Sequence, residues 1–216
     1  MANKRIIVIN GKGGSGKDTL VSDFIAYTSK KYFSGICDNI SSISPAENIM
    51  NHIRELSSSF GKEVPYEKTD EYRRMLHIIK TETDKYCNLS MNYLLHRLSS
   101  LFFKDINKKF IFVHIREPEN IKTFCDILDA ILLCNAYHKI DNRLTIDVKT
   151  LLVESNMTDG KQYGNHADDD VKAYDYDFYF RNDFSTEVSA EQILSEYKTD
   201  VESFYKTVTC GMDGIL

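Results

Sequence analysis

The residues with the most evident chemistry lie in one nonapeptide, Gly11-Lys12-Gly13-Gly14-Ser15-Gly16-Lys17-Asp18-Thr19. Four of the chain's ten glycines fall within it, and Gly11 to Gly16-Lys17 fits the spacing G-x-x-x-x-G-K. Glycines let successive backbone N–H groups turn toward one point. A helix opening directly after them adds the partial positive charge of its N-terminus. The arrangement suits the holding of a polyphosphate: the loop cradles it, Lys17 reaches its terminal phosphates, and a hydroxyl helps to hold a divalent cation. A loop with no anion would leave Lys12, Lys17 and these N–H groups converging unopposed. ATP and Mg2+ are therefore the expected ligands, and residues 11 to 19 the expected nucleotide contacts. Asp18 follows Lys17 directly, so the hydroxyl arrives one place later, at Thr19. Thr19 and Asp18 are the candidate metal residues, Asp18 acting through water or else screening the lysines.

Arg116 follows the apolar run Lys109 to Ile115 and precedes a helix opened by Pro118. The macrodipole disfavours a cation there unless an anion is near. It is the candidate for neutralising a transferred or acceptor phosphate, and an ion pair to Glu117 or Glu119 is the alternative. Lys17, Arg116 and Asp18 thus form the candidate catalytic set, with Asp38 a lesser candidate beside magnesium. The polar stretch 159–170 could cover a bound nucleotide, or be a plain surface loop. The six histidines show no H-E-x-x-H pairing and read as structural. Cysteines 37, 87, 125, 134 and 210 form no C-x-x-C pair and read as reduced packing residues.

The elements that position these residues follow from the apolar periodicity. Lys4 to Asn10 and Lys109 to Ile115 are short continuous runs, as in strands buried on both faces of a parallel sheet. Gly35 to Ile43, Lys149 to Glu154 and Tyr174 to Phe180 are the further strands. Helices are predicted over Thr19 to Lys31, from Ser44 toward Ser57, over Thr69 to Cys87 and Leu89 to Phe103, and from Pro118. A closing helix is predicted from a cap at Ser189 through Lys206. Ser44-Pro45-Ala46-Glu47 reads as a capping box. Met75 and Ile131 are placed on inward faces. Strands alternating with helices give an α/β fold, a three-layer sandwich around a mainly parallel sheet. One domain is expected, with a helical insertion at about 44–104 and a short lid at about 156–172.

Composition bounds the partners. The 216 residues carry 27 Lys+Arg against 32 Asp+Glu, a formal net charge of -5, so no global positive field draws the chain to nucleic acid or anionic lipid. The first apolar run, Ile6 to Ile9, is too short for a signal-peptide core or a membrane span. A cytoplasmic protein with neither nucleic-acid nor membrane partner is expected, and monomer and homodimer both stay open.

The loop ending G-K-D-T resembles that of phage deoxynucleoside-monophosphate kinases, its hydroxyl spacing that of adenylate kinases. Ser41 to Ile53, the 69–80 helix, Val113-His114-Ile115-Arg116-Glu117-Pro118 and Tyr163-Gly164-Asn165-His166-Ala167-Asp168-Asp169 resemble a group of bacterial adenylate-kinase-like proteins. The resemblance implies a P-loop kinase. Such an enzyme moves the γ-phosphoryl of Mg-ATP to a small phosphorylated acceptor, a nucleoside or deoxynucleoside monophosphate before others. It places acceptor binding in the helical insertion, where Arg73, Arg74 and Lys80 are candidates, or else form a solvated charged face. It also implies an arginine after the third strand, matched by Arg116, and an Asn-Asp pair near the adenine, matched by Asn182. The core Lys12 to Lys17 also matches K-G-G-x-G-K of partitioning and iron-protein ATPases. That similarity implies a nucleotide-switched, partner-binding ATPase whose early lysine reaches across a dimer.

Overall fold

In the computed structural model, residues 4–62, 69–104, 107–138, 145–162, 166–183 and 201–210 are described. The chain folds as two compact units, Met1–Asn39 with Ile106–Leu216, and Ile40–Asp105.

The first unit is built on a five-stranded parallel sheet in the order β2-β3-β1-β4-β5. The strands are β1 (Lys4–Asn10), β2 (Cys37–Ser41), β3 (Phe110–His114), β4 (Ile146–Glu154) and β5 (Phe178–Arg181). β1 lies at the centre, with Ile9 in register with His114 on one side and Leu151 on the other. Successive side chains alternate across a strand. Ile7 and Ile9 accordingly join a core with Leu20, Val21 and Phe24 of α1 (Lys17–Lys31) and with Val201, Tyr205 and Val208. Ile6 and Val8, equally buried, point to the opposite face. The third strand feeds α5 (Pro118–His138), which buries Ile121, Phe124 and Leu128. This is an α/β sandwich of three layers.

Phe24 holds the loop-bearing helix to the sheet. Its ring meets those of Phe110, Phe112 and Tyr205 edge-on at centroid distances of 5.3, 5.1 and 5.0 Å. Each such pair contributes about 0.5–1.5 kcal/mol beyond the burial of area.

The second unit comprises α2 (Ser44–Ser59), α3 (Asp70–Cys87) and α4 (Leu89–Lys104). Ala46, Met50, Tyr72 and Leu76 form a small core, with Ile43 and Ile79 packed on it. Thr69 caps α3, its side chain accepting from the Tyr72 N–H at 3.2 Å. Asn88, left-handed at φ 49°, ends α3 and lets α4 begin at once.

Several boundaries differ from the sequence pattern, each for a local reason. Ser44 does not cap α2: Ile43 is already helical at φ -84°, ψ -17° and holds the cap position, leaving Ser44 inside the helix with no side-chain cap. Pro45 then occupies the first turn, as its fixed φ allows. The second strand is shorter than Gly35 to Ile43, and the fifth spans only Phe178–Arg181. There Asp177 accepts from the Thr150 N–H at 2.8 Å and ends the pairing with a side chain. Met75 and Ile131 are 37% and 43% exposed rather than inward. Cys37 is buried beside the Thr28 hydroxyl, whereas Cys87 and Cys210 are exposed and do not pack. Residues 201–209 are helical, and the Ser189 cap falls outside the described residues. Among the described residues no helix is long and apolar enough to cross a membrane.

Candidate phosphate-binding site

The glycine loop emerges from the C-terminal end of the central strand. Asn10, the last residue of β1, is buried, and its side chain fixes the exit. Oδ1 accepts from the Gly11 N–H at 2.7 Å, while Nδ2 donates to the Arg116 carbonyl at 3.0 Å and to the Tyr176 hydroxyl at 2.9 Å. The Tyr176 hydroxyl in turn donates to the Val171 carbonyl. One amide thus ties the start of the loop to the segment carrying Arg116.

The loop needs glycine at both ends. A Cβ on Gly11 would overlap the Val153 carbonyl oxygen. Gly16, at φ +86°, caps α1 in the left-handed region, and a Cβ there would overlap the Asn182 amide. Gly16 has no side chain to cap the first-turn N–H groups of α1. Asn182 is buried. Its N–H donates to the Glu154 carbonyl at 2.8 Å and its amide to the Ser15 carbonyl at 3.4 Å, so the structure has it bracing the underside of the loop.

The charged groups gather over this loop. Lys17 Nζ donates to the Lys12 carbonyl at 3.3 Å. Burial pushes its pKa down, Asp18 and Asp168 oppose that, and Arg116 adds to it. All four charges therefore act within one small volume. Arg116 pairs with Asp168, not with Glu117 or Glu119, and its Nε is buried without a hydrogen-bond partner among the described residues. The buried carboxylate of Asp168 also accepts from the Gly13 N–H at 3.0 Å. Lys12 Nζ donates to the Lys161 carbonyl at 2.9 Å.

Asp18 and Thr19 are exposed on the first turn of α1. Asp18 Oδ1 lies 3.6 Å from Nδ1 of His114, the buried last residue of β3. Nε2 of that imidazole has no hydrogen-bond partner among the described residues. Burial above all, with Lys17 adding and Asp18 opposing, pushes the His114 pKa down to about 4, so the ring is neutral near pH 7.

The remaining candidates are described within their own elements. Asp38 lies in β2, 3.8 Å from Lys108 Nζ. In the helical unit Arg73 pairs with Asp70 at 3.2 Å on an exposed face, Arg74 is exposed, and Lys80 is buried with Asp84 at 3.3 Å. The segment read as a cover forms short turns, Asn156–Thr158, His166–Asp169 and Val171–Ala173. Residues 163–165 of it lie outside the described residues. Arg181, beyond it at the end of β5, is held by Asp159 at 2.6 Å and Asp183 at 2.7 Å.

Four residues escape the sequence reading: Asn10, His114, Asp168 and Tyr176. Asn10 and His114 carried a usable signal, as polar residues ending otherwise apolar strands beside a glycine loop. Asp168 carried none, being one of three consecutive aspartates.

No protein-family model matches this chain, and no curated protein matches it at a significant level.

Proposed function

We propose that the protein is a phosphotransferase that binds Mg-ATP over Gly11 to Thr19 and transfers the γ-phosphoryl group to a small phosphorylated acceptor, a nucleoside or deoxynucleoside monophosphate first among them. The observation that carries this reading is the convergence, over a loop that only glycine permits, of the Lys17 ammonium, the Arg116 guanidinium with its unpartnered Nε, and the uncapped start of α1. Asp18 and Asp168 offset part of this positive charge, and the lysine, the arginine and the helix-start N–H groups together suit a polyanion.

The donor set fits a magnesium nucleotide. The Thr19 hydroxyl and the Asp18 carboxylate are exposed oxygen donors on the first turn of α1, and a hard cation that keeps several waters would take the hydroxyl directly and the carboxylate through water. Bound there, magnesium supplies charge neutralisation to the phosphates. The chain's own residues position the reactants. Lys17 neutralises the terminal phosphates, and Arg116 meets the oxygens of the transferring group. An acceptor phosphate oxygen forms the new P–O bond as the bond to the β–γ bridging oxygen breaks, and ADP leaves with that electron pair. An anionic acceptor needs no base, so positioning and charge carry the acceleration.

The test is ADP formation from Mg-ATP with a panel of monophosphates. The proposal expects turnover that depends on acceptor, with Arg116→Ala slowing it by about 10²-fold or more and sparing ATP affinity. The partner-binding ATPase implied by K-G-G-x-G-K would instead show slow acceptor-independent turnover with ATP-dependent dimerisation. Against that alternative, Lys12 is engaged by the Lys161 carbonyl of its own chain.

A further inference from the structure

His114 is a buried polar residue that the reading above does not use. It ends β3, beside the loop-bearing strand, with its α-carbon in register with Ile9. In nucleotide sites of this kind an aspartate shares the cation with the loop hydroxyl. The run Phe110-Ile111-Phe112-Val113-His114 ends instead in an imidazole, and the carboxylate appears across from it, as Asp18 on α1.

Three features of the ring point to a ligand. It is 7% exposed, and its Nε2 has no hydrogen-bond partner among the described residues. Leaving a buried polar atom unpaired is costly, and a purely structural histidine has no reason to bear that cost. Nδ1 faces the Asp18 carboxylate at 3.6 Å, just outside hydrogen-bond reach, and Asp18, 86% exposed, is free to swing closer. Once Asp18 closes to hydrogen-bond distance and accepts from Nδ1, Nε2 is left as the acceptor, since the second nitrogen's partner sets the tautomer.

We infer that His114 and Asp18 act as one unit that holds the water shell of the nucleotide-bound divalent cation, Asp18 through its carboxylate and His114 by accepting at Nε2 from a cation-bound water. The pair takes the place of a strand-end carboxylate. His114 is a positioning residue, since it acts on the cation through water and through Asp18. The inference rests on nucleotide binding at the loop.

The experiment is calorimetric titration of the full chain with ATP across a series of Mg2+ concentrations. Wild type defines the Mg2+ concentration that gives half of the maximal gain in ATP affinity. Loss of a residue in a cation's outer shell costs about 10–100-fold in metal affinity. His114→Ala and Asp18→Ala should each raise that midpoint at least tenfold, and the loss of ATP affinity in His114→Ala should be larger in Mg2+ than in EDTA. The double variant should be no worse than either single one, because the two residues act together. His114→Asp combined with Asp18→Ala should restore the midpoint. Asp18 is exposed, so its variant reads the effect even where a change at His114 weakens the fold. A midpoint that moves less than twofold in Asp18→Ala, or equal losses with and without Mg2+ in His114→Ala, overturns the inference and leaves nucleotide binding standing. ATP that binds the wild-type chain at no Mg2+ concentration overturns both.

Discussion

The carboxylate of Asp168 takes a hydrogen bond from the Gly13 N–H at 3.0 Å while pairing with the Arg116 guanidinium. One buried acid, 155 positions along the chain from the glycine it meets, thereby joins the glycine loop to the arginine proposed for phosphoryl transfer.

Removing that charge leaves the Arg116 guanidinium without its carboxylate partner. Loss of one member of a fully buried pair costs about 3–5 kcal/mol, but the Arg116 side chain is 39% exposed, which discounts the figure to about 1–2 kcal/mol. Asp168→Asn should lower the melting temperature by about 4 °C, whereas Asp175→Asn, at an exposed position, should leave it within a degree. Differential scanning calorimetry decides, and equal melting temperatures would show that the pair contributes nothing.

Glycine positions separate backbone strain from crowding. Gly160 adopts φ +70°, and a methyl group added to it would meet nothing within 4 Å, so Gly160→Ala meets strain alone, about 1 kcal/mol. Gly16→Ala meets the same strain and must also displace the buried Asn182 amide from beneath the loop. Its cost should be about 2–3 kcal/mol in urea unfolding, and it should abolish the stabilisation that Mg-ATP gives.

Much of this arrangement was legible in the sequence because it is local. β1 and β3 are uninterrupted apolar runs, and the loop's glycines, Lys17 and α1 follow β1 without a break. Thr69, Asn88 and Pro118 mark helix ends with short-range chemistry. The pairing of Arg116 was not legible, because charges at 117 and 119 are nearer along the chain and only the fold brings Asp168 across. Ser44 misled because its sequence fits a capping box, while Ile43 already has helical geometry. Cys87 and Cys210 misled because residue type alone says nothing about which face of a helix end meets water.

Lys17 is a residue that the fold holds at a cost. Burial, the largest effect on it, pushes its pKa down, and Arg116 adds to that. Replacing the ammonium by an apolar group of similar length should therefore relieve the fold rather than weaken it. Lys17→Met is expected to melt at or slightly above the wild-type temperature without nucleotide. With Mg-ATP the wild type should gain several degrees and the variant none, which thermal-shift measurements with and without nucleotide will show. A variant that melts well below wild type would mean that the amine is a structural tie, through its bond to the Lys12 carbonyl, and not a phosphate ligand.

His114 gives the fold a defined response to acid. Its imidazole titrates at 6.5 in the unfolded chain and is pushed down to about 4 by burial in the native one. Between those values the unfolded chain binds a proton that the native chain does not, so unfolding free energy rises with pH across that window. The neutral ring's favourable state is fully present above pH 6.5, is eroded as the pH falls toward 4, and changes no further below that. The whole span is on the order of 3 kcal/mol. His114→Gln removes the titrating group, so the stability of wild type relative to this variant should fall by that order between pH 7 and pH 4, as measured by urea unfolding at each pH. Relative stability that stays constant across this range would mean that the imidazole accepts its proton in the folded protein as readily as in the unfolded chain, and that the ring is not held away from water at the end of β3.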